Sequence, residues 1–494
     1  MQLQAPNRLS SRDQRALVLL GCTFCFLYAY FFQGGGWNQN SHFDTVRALV
    51  ERHSLEITTF ASNTGDVGYH DGKTYANKGP GLALWAAPCY FFVYHLERLT
   101  GLDANPFLQR NLNGHILTFI ASGLPAVALV LVLFLHFRRK GGTTRESLCL
   151  AGGFGAGSLI FPYSGVMMSH VFTACTLFTA WHLVSETNAR RARLFAGGVL
   201  TGLSVMTDLL ATPIALLFLI YTAWRHSRQK LLGFLAGAGL IAALFLLYNQ
   251  IAFGSIWKTH QTLEAHQFQT PGLVLGMLEA PQWRRLYWLT FHPYRGLFHC
   301  SPLMLVPLFS VTRTRSSWAL EQTVPLCVIA ICVLFNLGFN GWTGGWCVGP
   351  RYLIPMLPFM FSFALTAYRR WPAPCVAAIV LSTLSMLSVA ATQLMVPGPN
   401  GGVAPARDPV WSALLNMLAG RISTSAQSMV DLRPTSSAQA TWASYNLGEL
   451  AGLNGVASVL PPTLALVAFA GACLAFSSTA CAGSLRSALS PKPH

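Results

Sequence analysis

Residues 111–137 read NLNGHILTFIASGLPAVALVLVLFLHF and run straight into Arg138-Arg139-Lys140. A helix that crosses a bilayer needs about 20 apolar residues. This run exceeds that length without a Lys, Arg, Asp or Glu, and it stops at a block of bases. Working outward, comparable runs occupy 16–32, 147–161, 166–184, 194–208, 210–224, 231–249, 297–311, 322–339, 352–367, 374–396 and 459–480. The reading is therefore an all-α polytopic membrane protein with about twelve transmembrane helices. Composition agrees: 52% of the 494 residues are hydrophobic and only 10% charged, where a soluble chain of this size carries about 25% charged. A soluble enzyme, a disordered chain and a fibrous protein are excluded. The apolar runs are continuous rather than alternating, which argues against a β-barrel.

Charge decides the topology around one ambiguous run, 81–96, which is short and contains Pro88. If that run stays on the outer surface, the inner segments are 1–15, 138–146, 185–193, 225–230, 312–321, 368–373 and 481–494. They then hold 19 of the 33 Lys and Arg in 69 residues. A crossing there would flip every later loop and turn each compact basic cluster outward. Because cytoplasmic loops collect Lys and Arg, 81–96 is expected to lie on the surface, with both termini inside. The net charge of +16 thus marks membrane orientation rather than a nucleic-acid partner. The first apolar run follows Arg8, Arg12 and Arg15 and reads as a signal anchor. The cysteines show one CxxC pair, Cys22-Thr23-Phe24-Cys25 inside the first apolar run, and no zinc spacing with histidine, and they read as small buried hydrophobes.

The expectation is one membrane-embedded domain, 1–494. Its outer face carries a first loop at 33–110, with two surface helices, and further loops at 250–296, 340–351 and 397–458. A short cytoplasmic tail follows at 481–494. Twelve of the 17 acids fall on the outer side. In the first loop, Ser41-His42-Phe43-Asp44 is expected to open an amphipathic helix, with Ser41 as N-cap and Asp44 closing a capping box. Asp71-Gly72 predicts a tight turn between two extended pieces. The chain then runs through Tyr75, Asn77, Lys78, Gly79 and Pro80 into 81–96. Lys78 would sit at headgroup depth, as a phosphate ligand or as an ordinary snorkelling lysine.

Asp44 and Tyr75-Ala76-Asn77-Lys78-Gly79-Pro80 resemble the first outer loop of the GT-C glycosyltransferases. The likeness is to the branch with protein O-mannosyltransferases and the lipid A aminoarabinose transferase. That branch has an acidic motif opening a surface helix and a Tyr–x–x–Lys–x–Pro stretch entering a second one. The stretches 161–164 with His170, 296–302, 341–352 and 445–448 are also similar to segments of the superfamily. The sequence departs from it in carrying Asp44-Thr45 in place of an acidic pair and His170 where relatives often have Asp, and in lacking any DxD.

The resemblance implies an integral, multi-pass protein of the bacterial inner membrane. It would move a sugar from a polyprenyl-phosphate carrier to a glycan, lipid or protein acceptor on the outer face, with inversion. Asp44 is the expected general base and His170 its reserve. Lys78, Arg351 and Arg295 are the candidate cations for the leaving phosphate, with Tyr75 and Tyr163 as further substrate-binding candidates. No metal ligand is assigned; a divalent metal stays open as a cofactor without a DxD to hold it. The bland alternatives are a helix cap for Asp44, a packing histidine for 170, a kink cap for Asp208 and headgroup anchoring for Arg351, Arg284, Arg285 and Arg295. Two other functions compete. A transporter or flippase would place ionisable groups at mid-bilayer and show repeat symmetry. A glycan polymerase or ligase would use a pyrophosphate-linked donor.

Overall fold

The computed structural model describes residues 9–105, 108–274, 276–311, 320–397, 407–424 and 444–488. Helices dominate. In chain order they include α1 (Ser11–Tyr30), α2 (Trp37–Glu51), α3 (Gly81–Thr100), α4 (Asn113–Arg139) and α5 (Thr144–Gly157). Next come α6 (Ser169–Val184), α7 (Arg191–Thr207), α8 (Ala211–Arg225) and α9 (Arg228–Phe253). The last are α10 (Leu320–Gly338), α11 (Pro372–Ala391), α12 (Pro409–Leu418) and α13 (Leu460–Ala488). Among the described residues, five stretches are long and apolar enough to cross a membrane: α4, α9, Glu321–Gly338 of α10, α11 and Gly455–Phe476. The α9 helix leaves Leu232, Leu240, Leu247 and Ile251 half-exposed or more along its length, the face a helix turns to lipid. The chain is an integral membrane protein.

Three expected spans are not continuous helices. Residues 147–161 part at the extended Ser158, between Thr144–Gly157 and Ile160–Ser164. Residues 297–311 break into Leu297–Cys300, Pro302–Leu305 and Leu308–Val311. Residues 352–367 break into Arg351–Met356, Leu357–Phe361 and the start of Ala364–Arg370. Pro302, Pro307, Pro355 and Pro358 explain the last two breaks, since each removes a backbone donor and clashes with the preceding turn. The α13 helix also runs on to Ala488, through the first half of the expected tail; 489–494 lie outside the described residues.

The chain is not wholly helical. Strand β1 (Phe31–Gln33) pairs antiparallel with β4 (Ser444–Asn446), joining the two ends of the chain. Strands β2 (Val67–His70) and β3 (Lys73–Ala76) form the hairpin predicted at Asp71-Gly72. Both turn residues have positive φ, 49° and 73°, as the mirror-image turn of a tight hairpin requires. Small residues set the helix packing that supports the site. A methyl group on Gly198 would strike the Phe234 carbonyl, and one on Gly237 the Phe195 carbonyl, so α7 and α9 lie backbone to backbone.

The α2 helix starts earlier than expected. Its N-cap is Gly36, and Ser41 and Asp44 lie inside the helix rather than capping it. Gly36 has extended backbone geometry, so the helix needs no hydroxyl cap to begin. Ser41 instead donates from Oγ to the Asp66 carbonyl, 2.8 Å away, which pins α2 to the start of the hairpin. Phe43, Val46 and Val50 meet Leu82, Ala83, Ala86 and Tyr90 of α3 in one apolar cluster. Tyr90 Oη also donates to Glu51 Oε1 at 2.7 Å.

Candidate active site

The Lys78 ammonium is the hub. The hairpin carries it past Asn77 to the start of α3, and its Nζ lies 2.9 Å from Asp66 Oδ2. The chain after it is pressed against the end of α7. A methyl group on Gly79 would come within 2.6 Å of the Met206 carbonyl and closer still to that of Thr207. Asp208, the next residue after Thr207, is thereby fixed beside the lysine, and Lys78 acts electrostatically on it. Asp208 Oδ1 accepts from the Leu210 amide at 3.1 Å, so the helix-end capping role is real. Its other oxygen faces His170, with 3.9 Å between Asp208 Oδ2 and His170 Nδ1.

His170 stands in the first turn of α6, buried, with its ring edge-on to Tyr352 at 5.3 Å. Neither ring nitrogen has a hydrogen-bond partner among the described residues. Buried polar groups are seldom left so, because each costs about 1–3 kcal/mol. Arg351 opens the short helix that carries Tyr352. Its Nη2 donates to Tyr352 Oη at 3.1 Å, its guanidinium lies 5.0 Å over that ring, and its Nε has no partner among the described residues. Lys78 and Arg351 both act on His170 and on Asp208. The structure thus brings Lys78, His170 and Arg351 together around Asp208.

Arg295 and Tyr163 do a different task from the one expected of them. Arg295 is fully buried and donates to the carbonyls of Gly345 and Cys347 and to Tyr294 Oη. Tyr163 donates from Oη to the Val348 carbonyl at 3.0 Å. Both hold the glycine-rich 341–350 loop that presents Arg351, so they act as positioning residues. Tyr75 is likewise packed into an aromatic cluster, 5.1 Å from the Phe253 ring and beside Tyr248. Arg285 is bound to Glu279 and to the carbonyls of Leu337 and Phe339.

Asp44 is fully buried in the middle of α2. Asn63 donates from Nδ2 to its Oδ1 at 3.4 Å, and the half-buried Arg47 guanidinium, itself paired with Glu51 at 2.8 Å, feels its charge. It therefore belongs to a carboxylate–guanidinium group on the hairpin side of α2.

The geometry adds residues that sequence reasoning passed over. His42, two positions before Asp44, is buried, and its pKa falls to about 3, through burial first and then through Lys78 and His260. His260 is depressed to about 3 as well, by burial and by Lys78. Glu264 accepts from Asn77 Nδ2 at 2.8 Å and from Gln261 Nε2 at 2.9 Å. Its pKa is raised by burial above all, with Asp66 adding and Lys78 opposing. His260 and Glu264 reach Lys78 because the 250–296 loop lies along the hairpin: Ala265 N donates to the Val67 carbonyl at 3.0 Å. His42 sat inside the quoted Ser41–Asp44 stretch, though only as part of a helix start. His260 and Glu264 had no local signal. No group of three or more His, Cys, Asp or Glu is arranged to hold a metal ion among the described residues.

No family model and no curated protein sequence matches the chain. Among solved structures, ArnT from Cupriavidus metallidurans bound to undecaprenyl phosphate is similar over 94% of this chain and 76% of its own, at 13% identity and a TM-score of 0.47. The same protein in the apo state aligns over 94% and 75%, at 14% identity and 0.45. The archaeal oligosaccharyltransferase AglB from Archaeoglobus fulgidus, in complex with an inhibitory peptide and a dolichol-phosphate, aligns over 76% and 55%, at 11% identity and 0.41.

Proposed function

We propose that the chain is a polyprenyl-phosphate-sugar-dependent glycosyltransferase, in which Lys78 and Arg351 bind the phosphate that leaves. One observation carries the reading: Lys78 and Arg351, from separate elements, both act on the buried His170, whose ring nitrogens have no hydrogen-bond partner among the described residues. A phosphate bound to a lipid chain needs such a pair. Lysine supplies a compact charge and arginine a fork, and both gain strength where water is excluded. Asp66 keeps Lys78 compensated while the site is empty.

In this reading the acceptor hydroxyl gives its proton to Asp44, held by Asn63 beside the charged Arg47. His170, which stands among the cations of the leaving phosphate, is the second candidate base. Attack from the face opposite the phosphate would invert the anomeric centre. The twelve-span topology, the surface placement of α3, both termini in the cytoplasm and the bacterial inner membrane belong to the same proposal, as does an outer-face acceptor that is a glycan, lipid or protein. No step requires a metal.

The test is transfer of label. Full-length protein in lipid nanodiscs would be given radiolabelled polyprenyl-phosphate sugars and a membrane acceptor fraction. The expected result is label in the acceptor with the wild type, and a loss of roughly 10²-fold or more with Arg351→Ala. Absence of transfer and of donor binding across the carrier-linked sugars would contradict the proposal.

A further inference from the structure

We infer that His42, His260 and Asn77 form the seat of an uncharged, hydroxyl-bearing sugar ring beside Lys78. The inference rests on the reading of Lys78 as the carrier-phosphate ligand. The three come from separate elements: His42 from α2, Asn77 from the strand end before α3, and His260 from the loop along the hairpin. All three are at least nine-tenths buried. His42 Nε2, His260 Nδ1 and Asn77 Oδ1 are buried without a hydrogen-bond partner among the described residues. Asn77 is tied through Glu264 to Gln261, the residue after His260. His42 and His260 lie within electrostatic reach of each other, and both of Lys78. Buried polar atoms left unsatisfied on three neighbouring elements call for a partner, and the hydroxyl groups of a sugar supply one.

The chemistry of the seat selects the ligand. Neutral imidazoles and an amide offer hydrogen bonds but no charge, which suits hydroxyl groups. The one cation at hand, Lys78, is already held by Asp66 and is needed by the phosphate. A carboxylate on the sugar would be buried next to Asp66 and Glu264 without a partner, at a heavy cost. An ammonium would have to draw Glu264 away from its two amide donors. The ring that fits is neutral.

The experiment measures binding of four probes to full-length protein in nanodiscs: bare undecaprenyl phosphate, and the same carrier bearing glucose, glucuronate or glucosamine. The wild type is expected to bind the glucose carrier at least about tenfold tighter than bare carrier, from one or more neutral hydrogen bonds. It should also prefer it to both charged sugars, a comparison that needs no variant. His42→Ala and His260→Ala should each lose most of that sugar increment while leaving bare-carrier affinity within about twofold, and His260→Gln should restore part of it. Tighter binding of glucuronate or glucosamine carrier overturns the inference. So does the full glucose increment in well-folded His42→Ala and His260→Ala proteins. If bare carrier binds but sugar adds nothing, the inference fails alone; if no carrier binds, the proposed function fails with it.

Discussion

Gly79→Ala adds one methyl group where the chain leaves the hairpin beside Lys78. That carbon would sit 2.6 Å from the Met206 carbonyl oxygen and closer to that of Thr207, where ordinary contact begins near 3.4 Å. The obstacle is backbone on both sides, so no side chain can swing away. The chain must open by on the order of 1 Å, and it does so between Lys78 and Asp208. Overpacking of this kind costs about 1–3 kcal/mol of stability. A misplacement of that size at a reacting group costs on the order of 10²-fold in turnover. Gly21→Ala is the control, because no atom lies within 4 Å of its added carbon. The assay is label transfer and donor binding in nanodiscs, with thermal stability measured on the same samples. Gly79→Ala should lose transfer well beyond what its melting temperature explains, and Gly21→Ala should not. Wild-type donor affinity and turnover in Gly79→Ala would refute the claim that this contact sets the Lys78–Asp208 geometry.

Other substitutions separate the roles. Arg351→Lys should recover only part of the donor affinity lost in Arg351→Ala, because a point charge does not replace the fork; full recovery in a binding titration would argue for simple charge anchoring. Asp44→Asn should lower turnover by roughly 10²–10⁴ with donor affinity nearly kept, and His170→Ala by much less; the reverse order in kcat would move the base to His170. Acid should destabilise the protein through His42 and His260. Their folded pKa is about 3 against 6.5 when unfolded, so below about pH 6.5 the unfolded chain takes up protons that the folded one refuses. Stability should therefore be flat above that pH and fall progressively towards pH 3, and melting curves of His42→Gln should show a shallower fall; an unchanged slope would deny the burial. Maleimide should label Ala104→Cys from outside and Lys140→Cys only from inside; the opposite pattern would mean that α3 crosses.

Much of the fold was readable because membrane spans announce themselves by length and continuity. The runs at 166–184, 210–224 and 231–249 match α6, α8 and α9 to within three or four residues at each end. The hairpin was legible for a local reason, Asp71-Gly72 being suited to positive φ. What failed was tertiary. Hydropathy does not see that Pro302 and Pro355 break two apolar runs, although the prolines themselves were in view. The β1–β4 pairing joins residues some 400 positions apart, and no short window holds such a bond. Ser41 looked like a cap because a hydroxyl precedes an apolar pattern, yet its partner is the Asp66 carbonyl. At the site, Lys78, His170 and Arg351 were chosen from residue type and position near span ends. Arg295 was chosen in the same way, and charge alone does not foretell that its guanidinium ties down the loop before Arg351. His260 and Glu264 come to Lys78 only because the 250–296 loop docks on the hairpin.

The central claim is that Lys78 and Arg351 jointly hold a lipid-linked phosphate. The most direct measurement is the affinity of undecaprenyl phosphate for full-length protein in nanodiscs, in wild type, Lys78→Ala, Arg351→Ala and the double variant. The account predicts a loss of roughly tenfold or more for each single change, since each removes a charge-assisted bond. It also predicts that the double variant binds no better than empty nanodiscs. Equal affinity in all four proteins, each shown to be folded, would contradict it.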